Sequence, residues 1–453
     1  MNLAAALHAA GAKRVLVPSD AGYAEQLTGF NLATTYTPEA VVEATRPTDV
    51  AAAIAVARDR GAPLTVLGTG HGVLRDVTAG VLVSMRNLAG VEIDPAARTA
   101  RISGAAKWKD VLAAASPYGL AGLCGSAPGV GVIGYLLGGG LGPLGRGYGY
   151  AADHVRSIEI VTPADGPITV EADSHPDLFW ALRGGKGGFG IVTAVTVDLF
   201  PIRSVIGGGL YFGADDAQAV LTAFSEWAPQ LPESATPSVA LLRLPPAPQL
   251  PEAIRGRFVA HVRFVSTDAP DRAEVALAPI RAVATPVLDT VGVLPFTSIG
   301  TVHGDPTEPM AAIDASVTLT EFGSAAVDAL LGSAGPSVVS PLSAVEIRLL
   351  GGALARQAEI PNAVGARGAA YNLFTSGAVL GSGDAPIRRA VGDVLATVEA
   401  WRGPHCLANF VGRANTSETM KHAWDEAQNV RLDIVRATAD PDGLFPFARH
   451  GRP

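Results

Sequence analysis

Charge and cysteine are both scarce in this sequence. Only 17% of the 453 residues are charged, and the chain holds two cysteines. The small number of cysteines argues against a disulfide framework and suits a reducing compartment, so we expect a cytoplasmic protein. The 34 basic and 42 acidic residues give a net charge of −8 without a dense basic run. Nucleic acid is therefore not expected as a partner.

Residues 111–145 contain no Asp, Glu, Lys or Arg over 35 positions, a length that could cross a bilayer. The stretch also holds eleven glycines and three prolines, which a lipid-exposed helix does not tolerate at that density. We interpret it as buried loop and expect no membrane partner. The opening residues lack the basic start of a secretory signal, so none is expected.

The first part of the chain alternates strand and helix patterns. Residues 40–44 predict a strand, Thr48 begins an alanine-rich helix that ends at Arg60, and residues 64–67 predict a strand that enters a glycine loop. A helix is predicted near residues 108–116 and a hairpin around Asp165-Gly166. Further strands are predicted at residues 257–265, 344–350 and 369–374, and a final helix stops at Asp440-Pro441.

The segment "GVGVIG" places Gly129, Gly131 and Gly134 in the spacing of a dinucleotide-binding fingerprint. That fingerprint requires a strand before it and a helix after it. Here "GLCGSAP" precedes it and further glycines follow, each costing about 1 kcal/mol within a helix. The same spacing recurs in "GKGGFG" at residues 185–190. In a chain with 52 glycines, the spacing alone is therefore weak evidence for a dinucleotide-binding loop. We therefore reject a Rossmann loop.

Three glycine-rich segments together favour another arrangement. They are "LGTGHG", "GSAPGVGVIGYLLGGGLG" and "LRGGKGGFGIVTAVTV". Separate glycine loops allow several stretches of backbone N–H to approach one extended anionic ligand. The pattern therefore predicts a long cofactor that lies across loops.

These segments, with "HPDLFWALRGGKGGFGIVTAVTVDLFP" and the tail "RLDIVRATADPDGLF", resemble the FAD-linked oxidases of the vanillyl-alcohol-oxidase type. The similarity is to the berberine-bridge-enzyme-like, 6-hydroxynicotine-oxidase-like branch. It implies an α+β fold with a two-subdomain FAD-binding lobe of the PCMH type and a substrate lobe built on an antiparallel sheet covered by helices. The implied bounds are residues 1–203 for the FAD lobe, 204–405 for the substrate lobe, and 406–453 for a segment that returns to the FAD lobe.

By this resemblance, His71 matches the histidine that bonds to the 8α-methyl group of FAD; a non-covalent contact is the alternative. Relatives with a second bond carry a cysteine just before P-x-V-G, where this chain has Ala127. Cys124 lies three residues upstream, about 10 Å of extended chain. We therefore expect one covalent bond, through His71.

The resemblance also implies the other cofactor contacts. Tyr135 stands where many relatives have histidine, and Asn409 matches the asparagine of a Y-x-N segment whose tyrosine is replaced by Leu407. The remaining implied FAD contacts are Gly68, Thr69, Gly70, Gly72, Ser126, Gly131, Gly134, Gly139, Gly142, Ile191 and Val192.

Catalysis is less visible in the sequence. Strand "AVEIRLLGGA" places Glu346 and Arg348 on one face, and "AAYNLF" offers Tyr371. We name these three as catalytic candidates; a structural role is the alternative for each. The resemblance implies oxidation of a small alcohol, amine, sugar or secondary metabolite, with oxygen as electron acceptor. A dehydrogenase, a cyclase, or a flavin-binding protein without turnover are alternatives. No metal is expected, since no H-E-x-x-H spacing occurs.

Overall fold

The structure is a computed structural model that describes residues 2–72, 74–381, 383–415 and 417–445. A four-stranded sheet lies near the N-terminus, with strand order β1-β2-β4-β3. β2, β4 and β3 are parallel, and β1 is antiparallel to β2. The elements are α1 Leu3–Ala9, β1 Val15–Leu16, α2 Tyr23–Gln26, β2 Ala40–Glu43, α3 Pro47–Arg60, β3 Leu64–Leu67 and β4 Val81–Ser84.

The β-α-β unit predicted for this region is confirmed, but its predicted helix cap is wrong. Helix α3 begins at Pro47, with Arg46 as the N-cap residue, and not at Thr48. The carboxylate of Asp49 accepts the backbone N–H of Arg46 at 3.1 Å and that of Thr45 at 3.1 Å. Proline at the first helical position needs no N–H partner, so the helix begins two residues earlier than a Thr48 cap predicts.

A five-stranded antiparallel sheet follows, with order β5-β6-β9-β7-β8. The predicted hairpin is its β7-β8 pair. The glycine fingerprint leads into α5, a helix of only six residues without a preceding strand, which agrees with the rejection of a Rossmann loop. The elements are β5 Ala89–Asp94, β6 Thr99–Gly104, α4 Trp108–Ala115, α5 Val132–Leu137, α6 Gly145–Tyr148, β7 Val155–Thr162, β8 Gly166–Val170, α7 Pro176–Leu182 and β9 Ile191–Asp198.

An eight-stranded antiparallel sheet forms the second half of the molecule, with order β13-β10-β12-β11-β16-β17-β15 and β14 paired to β10. Helices α8 to α11 pack on one face in a shared apolar core, and the other face carries buried polar side chains beside a smaller apolar cluster that includes Ala240, Leu242 and Val259. The elements are β10 Ser204–Phe212, α8 Ala217–Trp227, β11 Ala235–Arg243, β12 Phe258–Ser266, α9 Pro270–Arg281, β13 Leu288–Asp289, β14 Gly292–Pro295, β15 Ala312–Leu319, α10 Ser324–Ala334, β16 Ala344–Leu349, β17 Tyr371–Ala378 and α11 Ala385–Thr397. The predicted helix-covered antiparallel sheet is confirmed.

The chain then returns to the first half of the molecule through α12 Ser417–Lys421 and α13 Glu426–Ala439. The guanidinium of Arg436 donates to the carbonyls of Gly185 and Gly187. The backbone N–H of Leu64 donates to the carbonyl of Leu444 at 2.9 Å, beside β3. The final helix ends where it was predicted to, at Asp440. Within the described residues, every helix is too short or too polar to cross a membrane.

Candidate active site

The loop after β3 carries His71, and its position is fixed on two sides. The imidazole stacks on the ring of Phe30, with centroids 4.0 Å apart and planes 12° from parallel. Its Nδ1 lies 2.9 Å from the hydroxyl of Thr69. Burial, with a smaller contribution from the positive Lys107, lowers the pKa of His71 to about 4. The half-buried imidazole is therefore neutral at physiological pH and keeps a nitrogen lone pair.

Neighbouring segments hold this loop close. Gly70 has φ of +72°, and an added Cβ there would collide with the backbone of Gly29. The Thr69 hydroxyl also accepts the backbone N–H of Gly131 at 3.3 Å. The histidine loop and the glycine segment before α5 are thus joined directly.

Several glycines of these loops face open space, as a cofactor cradle requires. An added Cβ at Gly68, Gly129 or Gly134 would meet no protein atom within 4 Å. The half-buried Lys107 and Lys186 flank the histidine loop, and neither is in an ion pair among the described residues. Open backbone and two uncompensated cations fit the elongated, doubly charged pyrophosphate of FAD. When bound, FAD supplies the electron-accepting ring, and these loops would hold it.

Other predicted cofactor residues are packed against protein. The ring of Tyr135 lies edge-on to Trp108 at 5.6 Å and is 8% exposed, so it points into the core and away from the open side. An added Cβ at Gly139 would meet Val364, and one at Gly142 would collide with the Cys124 carbonyl. The side chains of Ile191 and Val192 are buried in the core. For these five positions, only backbone groups remain available to a cofactor.

Asn409 connects the C-terminal segment to the glycine loops. Its amide donates to the carbonyl of Tyr135 at 2.8 Å and accepts from the ammonium of Lys186. Gly138 permits this approach, because a Cβ there would collide with the Asn409 side chain. Lys186 was missed in the sequence, although a lysine inside the run "RGGKGGFG" was a visible signal.

Glu346 and Arg348 lie on the polar face of the large sheet, where a buried ion-pair network surrounds the carboxylate. Glu346 accepts from Arg263 at 2.6 Å, from Arg348 at 2.9 Å and from the Ser238 hydroxyl at 2.8 Å. Burial alone would raise the pKa of Glu346, but the positive Arg348 and Arg263 outweigh it and hold the pKa well below its usual range. The carboxylate is already fully engaged and is a poor proton acceptor.

Strand pairing explains how this network forms. Ser238 on β11 pairs with Arg263 on β12 and with Arg348 on β16. Arg348 in turn pairs with Asn372 on β17, whose amide is fully buried without a hydrogen-bond partner in the described structure. The sequence could not reveal this set, because Arg263 and Ser238 lie more than 80 residues from Glu346.

Arg348 brings the two halves of the site together. Its Nη2 lies 3.5 Å from the hydroxyl of Ser126 in the glycine segment, and its guanidinium lies 5.4 Å from the ring centroid of Phe410. The cleft beside it is also lined by Arg263 and His303. The polar sheet face therefore meets the glycine loops at Ser126, which is joined through Gly131 and Thr69 to His71.

His303 is another residue of this face that the sequence did not indicate. Its Nε2 lies 3.6 Å from the Glu346 carboxylate, and its Nδ1 is buried without a described partner. Burial and the positive Arg263 lower the pKa of His303, so the ring is neutral. It can hydrogen-bond a ligand but is a weak base.

Tyr371 lies on the opposite face of the sheet. β17 alternates sides, so Asn372 shares the polar face while Tyr371 packs in the helix-covered core against Phe322. The structure therefore does not bring Tyr371 to Glu346 and Arg348. The sequence predicted a strand here, but it did not show which residues of the strand face the site.

Comparison with known proteins identifies the cofactor lobe. A family described as "FAD binding domain" matches residues 38–170. The (R)-6-hydroxynicotine oxidase of Paenarthrobacter nicotinovorans is 30% identical over 230 residues, which is 50% of this chain and 47% of that protein. The chain spans about two fifths to one half of the length of the curated relatives it matches.

Solved structures share the whole fold. The Physcomitrella patens protein BBE-like 1 superposes with a TM-score of 0.85 at 18% identity, covering 99% of this chain and 98% of that one. Glucooligosaccharide oxidase from Acremonium strictum, described as carrying 6-S-cysteinyl, 8α-N1-histidyl FAD, superposes with a TM-score of 0.82 at 21% identity, covering 98% and 97%. The predicted two-lobed fold and the predicted resemblance to berberine-bridge-enzyme-like proteins are both confirmed.

Proposed function

We propose that this chain, which belongs to the FAD-linked oxidoreductases with the berberine-bridge-enzyme-like fold, is an oxidase that holds FAD through one covalent bond to His71. The observation that carries the proposal is the fixed, neutral imidazole of His71 beside open glycine backbone. A neutral nitrogen can form a bond that an imidazolium cannot. The half-buried Ala127 stands in the slot before Pro128, which leaves no sulfur for a second bond.

The substrate binds between the glycine loops and the polar sheet face in this proposal. Arg348 points at Ser126 across that boundary and retains N–H groups for a ligand, since Nε is the one that bonds Glu346. Glu346 positions Arg348 and does not act as the base. The neutral His303 and the buried Asn372 amide supply further hydrogen-bonding groups on the same face. This polar lining suits a small hydroxyl- or amine-bearing substrate. Bound FAD would supply the acceptor for the hydride of the substrate C–H bond, and oxygen would take the two electrons and two protons to form hydrogen peroxide.

Two measurements on the purified protein test this function. Acid precipitation should leave flavin on the protein; quantitative release into the supernatant would show that the bond to His71 does not form. Anaerobic mixing with a panel of sugars, alkaloids and polyketide alcohols should bleach the flavin spectrum for at least one member.

Reoxidation then separates the alternatives. Peroxide formation on admitting air supports an oxidase, whereas bleaching that persists in air supports a dehydrogenase. Turnover to a ring-closed product without net peroxide would identify a cyclase. A flavin that no substrate class reduces would identify a binding protein and contradict the enzymatic proposal.

A further inference from the structure

Lys186 occupies a position that favours glycine. It lies in the glycine run between α7 and β9 and has φ of +70°, in the left-handed region. A non-glycine residue in that region is strained, because its Cβ crowds the following carbonyl oxygen. The loop is held by Arg436, whose guanidinium donates to the carbonyls of Gly185 at 2.9 Å and Gly187 at 3.1 Å. The strained residue therefore sits on a well-supported loop, and its side chain is the part that differs from the neighbouring glycines.

The ammonium of Lys186 lies where three segments of the site meet. It donates to the side-chain oxygen of Asn409, while the backbone N–H of Lys186 donates to the Leu137 carbonyl at 2.7 Å. A Cβ added to Gly72, the residue after His71, would lie 3.9 Å from the Lys186 nitrogen. The charge thus lies beside the histidine loop, at the end of α5 and under the C-terminal segment.

No carboxylate among the described residues compensates this charge. Asn409 is neutral, and Lys186 forms no ion pair with any carboxylate in the described part of the chain. Burial lowers the pKa of Lys186 to about 8, so most molecules still carry the charge at pH 7. An ammonium that has lost part of its hydration without gaining an anion is costly. An anionic ligand that approached the ammonium would offset this cost.

We propose that Lys186 is a further cofactor-binding residue whose ammonium, oriented by Asn409, neutralises an anionic group of bound FAD. The inference rests on the FAD site proposed above. FAD carries such charge in two places, the pyrophosphate and the ring once it is reduced or has added an anion. Both sources present the same chemistry to Lys186, and the test distinguishes them.

The test uses four variants of the full chain. Lys186→Met removes the charge and keeps the stem; Lys186→Arg keeps the charge; Asn409→Asp places a carboxylate against the unchanged lysine. Lys109→Met removes an exposed lysine of helix α4 and is the matched control. For each, we measure the flavin-to-protein ratio as purified and the dissociation constant of sulfite, which adds to the flavin ring as an anion.

A charge-assisted hydrogen bond is worth about 1.5 to 3 kcal/mol, which corresponds to a change of about tenfold or more. If Lys186 meets the pyrophosphate, Lys186→Met and Asn409→Asp should retain less flavin at unchanged sulfite affinity. If it meets the ring, both should keep flavin and bind sulfite about tenfold more weakly. In either case Lys186→Arg stays near the wild type and Lys109→Met matches it.

Two results would overturn the inference while leaving the FAD site intact. One is a Lys186→Met protein with wild-type flavin content and wild-type sulfite affinity. The other is a Lys186→Arg protein as impaired as Lys186→Met, which would make the role of Lys186 steric. Wild-type protein purified without any flavin would instead overturn the proposed function and this inference together.

Discussion

The two sides of the cleft are built in opposite ways. The cofactor side, formed by the loops at residues 67–72, 125–142 and 184–190, is mostly bare backbone; Lys186 within it and Lys107 beside it form no ion pair among the described residues. The substrate side, formed by the polar face of β11, β12, β16 and β17, is a buried network in which Glu346 is surrounded by Arg263, Arg348 and Ser238. The cofactor side leaves its lysine charges available to a ligand, whereas on the substrate side the charge of Glu346 is paired with protein groups.

The cofactor side therefore depends on a ligand for its charge balance, whereas the substrate side keeps its geometry through its own ion pairs and hydrogen bonds. Removing a group from the cofactor side should change what the protein binds and leave its stability nearly intact. Removing a group from the centre of the substrate side should change the stability first, because a buried charge is left unpaired.

The largest expected effect is on the cofactor side. His71→Ala should abolish the covalent bond, so that all flavin is released by acid precipitation, while the melting temperature of the flavin-free protein changes little. His8→Ala, an exposed histidine of helix α1, is the control and should keep its flavin. Covalent flavin that survives in His71→Ala would assign the bond to another residue.

The next effect concerns the substrate side. Glu346→Gln should lower the free energy of unfolding by about 3 to 5 kcal/mol, since Arg263 and Arg348 then face each other without the anion between them. Glu233→Gln breaks the exposed pair with Arg356 and should cost less than about 1 kcal/mol. Denaturant titration compares the two. Equal losses would show that the substrate side is no more tightly coupled than the surface.

Local motifs explain why one side was predictable. The histidine loop is one six-residue segment, and the family resemblance implied that its His71 and Thr69 share a site with Gly131. Thr69 is hydrogen-bonded to both His71 and Gly131. The FAD-lobe strands and the helix-covered sheet followed from alternation and family resemblance.

The substrate side depends on register, which no single segment encodes. Arg348 meets Asn372 because β16 pairs with β17 in one register, and a shift of one residue would bring Tyr371 to the site instead. Glu346 was named as a catalytic candidate because two of its partners, Arg263 and Ser238, lie on other strands and cannot be seen from its own segment. Lys186 was missed for a similar reason, since its contact with Asn409 joins residues 223 positions apart in the sequence.

Acid should destabilise the flavin-free protein through its buried histidines. An unfolded histidine gains a proton near pH 6.5, whereas His303 and His71 have lowered pKa values and stay neutral in the folded state. The unfolded state then binds more protons, so stability is fully present above pH 6.5 and is lost as pH falls. Each such group contributes up to about 1.4 kcal/mol per pH unit.

Denaturant midpoints at pH 7.5, 6.0 and 5.0 measure this slope. His303→Gln should flatten it by up to one proton, because the unfolded chain then has one fewer group to protonate. A slope in His303→Gln equal to that of the wild type would mean that His303 is protonated in the folded protein.

A smaller effect is expected on kcat/KM, which allows the two faces of the large sheet to be compared. Arg348→Lys should lower kcat/KM by about tenfold, since lysine cannot donate to Glu346 and to a ligand in the same fork geometry. Tyr371→Phe removes a hydroxyl from the opposite face and should change kcat/KM by less than about threefold, with any loss confined to stability. If Tyr371→Phe lowered kcat/KM more than Arg348→Lys, the assignment of the substrate to the polar face of the sheet would be wrong.

The smallest expected effect is at Cys124, on the cofactor side. Its thiol is 2% exposed, and burial raises its pKa to about 12, so the thiolate that would bond to a flavin ring is not formed. Its carbonyl is held against Gly142, and Pro128 resists a slip of the loop that would bring Cys124 to the Ala127 position. Cys124→Ala should therefore keep covalent flavin with an unchanged absorption spectrum, as seen after denaturation and gel filtration. A flavin peptide whose mass includes Cys124 would falsify single attachment and show that this buried corner opens during cofactor loading.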